Sequence, residues 1–170
     1  MSVKDELRVE LLQTREAFHS LLAEIPDEAF SRPSDNPAWT IGEVLFHMSL
    51  APRFMVTDLR AIIAQGWLAR VFAILVPAAL FHKLNESFTR SGSRNLNRAF
   101  LAEQYEKAHE RAMASLESLH ETDFQKSLHY PGYDPMLSGN VTVERLYRYI
   151  KLHFEAHERQ IRERLAGILV

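Results

Sequence analysis

Apolar residues return every three to four positions through four long stretches of this 170-residue chain. That period fits α-helices and not strands. In residues 4–25, Leu7, Leu11, Phe18, Leu21, Leu22 and Ile25 recur at helical spacing with charges between them. Pro26 and then the stretch SRPSDNP stop that run. The next start is signed by WTIGEV, where Thr40 as N-cap and Glu43 three residues later form the capping-box pattern. Trp39 and Val44 flank it as a hydrophobic staple. From there Ile41, Val44, Met48, Ala51, Met55, Leu59 and Ile62 share one face. Pro52 is expected to bend this helix without ending it. A third run, about 96–119, turns Leu101, Tyr105, Ala108, Ala112 and Leu119 inward, and a last one, about 143–166, has Thr142 as its cap.

Four long helices with long connections predict an all-α fold, a four-helix bundle. A chain of this length buries one core, so residues 1–170 read as a single domain. The stretch NESFTRSGSRNLN, residues 85–97, reads as a polar connection. ETDFQKSLHYPGYDPMLSGNV, residues 121–141, exceeds ordinary helix–helix connections and reads as a loop that could cover a site. Between them WLARVFAILVPAALFHKL, Trp67 to Leu84, is an additional apolar helical segment. Its uncharged core, Val71 to Phe81, is well short of the roughly 20 residues that cross a bilayer. No membrane span is expected; a buried helix or a protein–protein contact fits better. Long bundle helices leave faces that a second copy could cover, so a homodimer is also expected.

A formal charge of -2 excludes the generally basic surface that tracks a nucleic-acid backbone, so no nucleic-acid partner is expected. The chain has no cysteine, which removes disulfides, Fe–S clusters, cysteine zinc ribbons and a cysteine nucleophile. Its first residues, MSVKDELRVELL, carry acids where a secretory signal would carry a basic region and an apolar run. A cytoplasmic protein is the expectation.

The chemistry concentrates in YIKLHFEAHERQI, Tyr149 to Ile161, with His153 and His157 four residues apart. Among eight histidines one such pair arises by chance in about a third of chains, so spacing alone says little. Position says more. Leu146, Ile150, His153, His157 and Ile161 lie on one side of the helix, and Lys151, Glu155, Glu158, Arg159 and Arg162 on the other. Two inward imidazoles one turn apart can aim two nitrogens at one ion, at about 2.0–2.1 Å. Each ring could equally be hydrogen-bonded in the core. The H-E-x-x-H protease pattern is absent, because Glu155 is two residues past the first histidine and faces away. A catalytic metal site usually needs three protein ligands, and His19, His47, His82, His109, His120, His129 and the carboxylates remain as candidates for the third. His47 lies two turns into the second helix, at the edge of its apolar stripe.

NPAWTIGEVLFHM, followed some 100 residues later by LHFEAHERQI, resembles the DinB/YfiT-like superfamily of metalloenzymes. The first stretch is similar to that family's W-[ST]-x-x-E-x-x-x-H segment and the second to its H-x-x-x-H-x-x-Q-[IL] ending. The resemblance implies a helical bundle with a long crossover and a divalent ion held by His47, His153 and His157. Gln160 matches a family position to which no role is assigned. The chain departs from the family at Glu158 and Arg159, where Arg-Gly is common, and in its long apolar segment.

Three neutral imidazoles leave room on a divalent ion, such as zinc or nickel, for water or substrate. Such an ion lowers the pKa of bound water or ionises a bound thiol. The resemblance implies a low-molecular-weight thiol as co-substrate, as in bacillithiol transfer or mycothiol-dependent isomerisation. The leading expectation is thus a metal-dependent thiol S-transferase acting on a small-molecule electrophile. A non-catalytic metal-binding stress-response or interaction module is one alternative, and a metal-assisted hydrolase another. His129, Tyr130, Tyr133 and Asp134 cluster in the 121–141 stretch as sources of an acid or base, and none is singled out.

Overall fold

The computed structural model describes residues 1–64, 78–93, 96–134 and 136–166. The four apolar runs become α1 (Val3–Glu24), α2 (Ile41–Ala64), α4 (Arg98–Glu117) and α5 (Val143–Ala166), with α3 (Ala78–Gly92) between the second and third. Their starts are held as the capping chemistry requires. Ser2 and Asp5 form a capping box on α1. The Asn97 side chain accepts from the Phe100 N–H at the start of α4. On α2 the Thr40 hydroxyl accepts from the Glu43 N–H at 3.2 Å while the Glu43 carboxylate accepts from the Thr40 N–H at 2.7 Å. Thr142 accepts from the Arg145 N–H at 3.1 Å on α5. Each bond satisfies a donor that the first helical turn leaves unpaired. Pro52 sits inside α2, which continues past it to Ala64.

The helices pack in the cyclic order α1–α4–α2–α5, so α1 and α2, consecutive in sequence, lie diagonally across the bundle. α1 and α4 exchange cations at their ends. Lys4 donates to the Leu119 carbonyl just past α4, and Arg98 donates to the carbonyls of Leu22 and Ile25 at the end of α1. A cation there complements the negative end of the helix dipole. Midway, Phe18 of α1 stacks on Tyr105 of α4 with ring centroids 3.8 Å apart. Two apolar clusters fill the interior. One gathers Phe18, Leu21, Ile25, Trp39, Ile41, Val44, Leu45, Leu101 and Phe154. The other gathers Leu7, Leu11, Met55, Leu59, Ile62, Leu116, Tyr147 and Ile150.

Two connections differ from the sequence reading. Residues 85–92, expected as polar connection, are helical, because α3 runs to Gly92. Most of its side chains face solvent, which is why the stretch looks loop-like, but Thr89 is buried and Gly92 lies against the Phe46 ring. The stretch expected as a loop carries a hairpin of antiparallel strands, β1 (Ser127–Asp134) and β2 (Leu137–Thr142), so the bundle is not purely helical. Positive φ at Gly139 and an irregular register between Pro131 and Asp134 hide its alternation in the sequence. Of the apolar segment, Trp67 to Pro77 lies outside the described residues. No described helix is long and apolar enough to cross a membrane.

Candidate metal centre

His47 comes from the second turn of α2, and His153 and His157 from successive turns of α5. α2 and α5 are neighbours in the bundle, and the histidines lie where its two apolar clusters meet. The Nε2 atoms of His153 and His47 are 3.1 Å apart, and those of His157 and His153 3.2 Å. One ligand atom from each residue lies within 4.8 Å of the others, and no carboxylate belongs to that group among the described residues. Nitrogens bound to one ion at about 2.0–2.1 Å are themselves about 2.9–3.4 Å apart for right-angle to tetrahedral coordination. The observed spacing falls in that range.

Protonation points the same way. His157 donates from Nδ1 to Oε1 of Gln160 at 2.9 Å, so its Nε2 carries the lone pair. Burial, and then the neighbouring His157, push the His47 imidazole down to about pKa 3. Burial, with His157 and His47 beside it, holds His153 well below the usual value, and burial also lowers His157. Neutral rings facing one another need one donor for each contact. A single Nε2–H on His153 would have to serve both neighbours, while His47 Nδ1 is buried with no partner. A cation instead takes all three lone pairs. The donor set fits a divalent ion of the imidazole-binding kind.

Around this centre stands a polar wall that sequence reasoning named only in part. The Tyr149 ring, one turn before His153, lies 5.4 Å from it. Its hydroxyl donates to Asp134 of β1, and the Asp134 charge reaches His157, raising its pKa against the effect of burial. Further along, Tyr130 of β1 donates to Asp58 of α2 at 2.9 Å. Burial raises the Asp58 pKa, partly offset by that bond. Tyr149 and Asp58 were missed, yet each had a signal. Tyr149 precedes His153 by four residues, and Asp58 follows His47 by eleven, three turns along the same face. Of the other loop candidates, His129 is exposed and the Tyr133 side chain lies outside the described residues.

Three further histidines lie elsewhere in the fold. His19 pairs with Glu106, His109 donates to the Leu11 carbonyl at 3.2 Å, and His120 precedes the 3-10 turn Glu121–Asp123. The His82 side chain lies outside the described residues.

No curated protein matches the chain at a significant level. Among solved structures it is similar to the crystal structure of a mycothiol-dependent maleylpyruvate isomerase. The TM-score is 0.68 at 10% identity, over 95% of this chain and 63% of that one. At that identity the likeness concerns the fold, and the chain spans less than two thirds of the longer structure. Residues 10–161 match the DinB superfamily, a span that takes in all three histidines, Gln160 and the hairpin. The chain belongs to the DinB superfamily.

Proposed function

We propose that this protein is a divalent-metal-dependent enzyme that joins a low-molecular-weight thiol to a small electrophile. The observation that carries the proposal is the convergence of Nε2 of His47, His153 and His157. These three residues would hold zinc or nickel. When bound, the ion supplies Lewis acidity, lowering the pKa of a coordinated thiol or water. The protein's own residues do the rest. Burial keeps the three imidazoles neutral, Gln160 holds the His157 tautomer, and Tyr149 and Asp134 set the polarity beside the site. With no cysteine in the chain, the nucleophilic sulfur must come from outside. A fold shared with a mycothiol-dependent enzyme supports that reading. We place the reaction in the cytoplasm, where small thiols stay reduced. A homodimer belongs to the proposal, since Phe54, Leu84 and Phe88 are exposed on α2 and α3.

The test loads untagged protein and its His153→Ala variant with zinc or nickel, removes free ion, and measures metal by elemental analysis. Thiol conjugation to 1-chloro-2,4-dinitrobenzene is then followed. We expect about one equivalent in the parent, little in the variant, and conjugation only in the loaded parent. Ion uptake without conjugation for any thiol would favour a non-catalytic metal-binding module. Equal uptake by both proteins would overturn the site itself.

A further inference from the structure

Asp134 of β1 stands beside the histidine centre, bonded to Tyr149 whose ring lies against His153, and Asp58 of α2 lies further along, bonded to Tyr130 of the same strand. Both are half-buried. Their partners among the described residues are two phenols and one backbone N–H: Tyr130 on Asp58, and Tyr149 and Met136 on Asp134. No lysine or arginine is among them. Arg145, one turn before Tyr149, donates instead to the carbonyls of Met136, Ser138 and Asn140 on the hairpin. Nearby, His47 is buried with Nδ1 unpartnered, and the three Nε2 atoms converge.

Phenols soften the desolvation of a carboxylate but do not neutralise it. Two partly desolvated carboxylates on one side of a small-molecule site repel an anion and favour a cation, with an effect magnified by the low local dielectric. Asp134 accepts from the hydroxyl of Tyr149, whose ring lies against His153, and its charge reaches His157; Asp58 acts one step further out, on Tyr130 and Tyr149.

We propose that Asp58 and Asp134 are specificity-determining residues that make this site select a thiol bearing a positive charge over a neutral or anionic one. The inference rests on the thiol-dependent reading above. It adds the charge class of the co-substrate. Tyr130 and Tyr149 hold the two carboxylates in place.

The experiment uses cobalt-loaded protein and three thiols with the same two-carbon spacer: thiocholine, 2-mercaptoethanol and 2-mercaptoethanesulfonate. Thiocholine is a permanent cation whose nitrogen cannot ligate cobalt. Each thiol is titrated while the sulfur-to-cobalt charge-transfer band is followed, and affinities are corrected for each thiol's own pKa. Thiocholine is expected to bind tightest and the sulfonate weakest. The ratio between these two should fall about tenfold in Asp58→Asn or Asp134→Asn, with cobalt affinity retained. Equal affinities, or a preference for the sulfonate in the parent, would overturn the inference, and that ranking decides even if a variant fails to fold. An unchanged ratio in both folded variants would also overturn it. Failure of the underlying reading looks different: cobalt bound but no charge-transfer band with any thiol removes thiol chemistry, and no cobalt uptake removes the site.

Discussion

His157 is fixed through both ring nitrogens, Nδ1 on Gln160 and Nε2 toward His153. An acceptor on the far nitrogen sets the tautomer and orientation of a ligating ring, and its loss typically weakens metal binding by about 10–100-fold. Gln160→Leu should therefore lower zinc affinity by at least about tenfold in competition with a chromophoric chelator, while Gln160→Glu, which keeps an acceptor, should retain most of it. Burial makes a second prediction. The His47 imidazole falls from 6.5 to about 3 on folding, so the unfolded chain takes up its proton first as pH falls. Stability from this group is present above pH 6.5 and is lost progressively as pH drops towards 3. The urea midpoint of metal-stripped protein should fall between about pH 7.5 and about pH 5. His47→Gln should flatten part of that slope; an identical slope would assign the pH dependence to other groups. Periodicity alone makes the inward direction of His153 and His157 legible. The bond from His157 to Gln160 is not, because i,i+3 contact depends on rotamers that spacing leaves open.

The second half of α3, residues 85–92, shows how a helix can hide, whereas its first half, residues 78–84, lies in the segment expected to be helical. The second half is polar because α3 packs mainly on α2, outside the four-helix ring, so few of those positions need apolar side chains. What ties it down is close approach. A Cβ at Gly92 would lie 2.3 Å from the Phe46 ring. Gly92→Ala gains helix propensity but overpacks that contact, and a net loss of about 1–3 kcal/mol in chemical unfolding is expected. A neutral or stabilising result would mean that the Phe46 ring moves aside easily. The hairpin was hidden for a different reason. Pro131, Gly132 and Pro135 interrupt its alternation, and its pairing is set by a partner strand instead of by a hydrophobic period. By contrast the starts of α2 and α5 were legible to the residue, because Thr40 with Glu43, and Thr142, are local chemistry.

Across the whole molecule, an ion on the three histidines would join α2 to α5 and the two apolar clusters at their meeting point. An ion that binds only the folded state stabilises all of it, by about 2.7 kcal/mol at a hundredfold excess over its dissociation constant. Zinc should raise the melting temperature of the parent and leave that of His153→Ala unmoved, as read by circular dichroism at fixed protein concentration. The amino-acid order alone determined the four long helices, their inward faces and the two histidines on the last of them. These follow from a 3.6-residue period and from caps that act within one turn. From residue types it also determined that no cysteine of this chain serves as a nucleophile or a metal ligand. The resemblance supplied His47. Only the tertiary structure decided that His47 meets His153 at 3.1 Å, that Asp134 stands beside them through Tyr149 with Asp58 further along at Tyr130, and that a hairpin carries Asp134. Periodicity tells which way a side chain points from its own helix axis. It leaves free the rotation and sliding of one helix against another, and packing across long connections sets both.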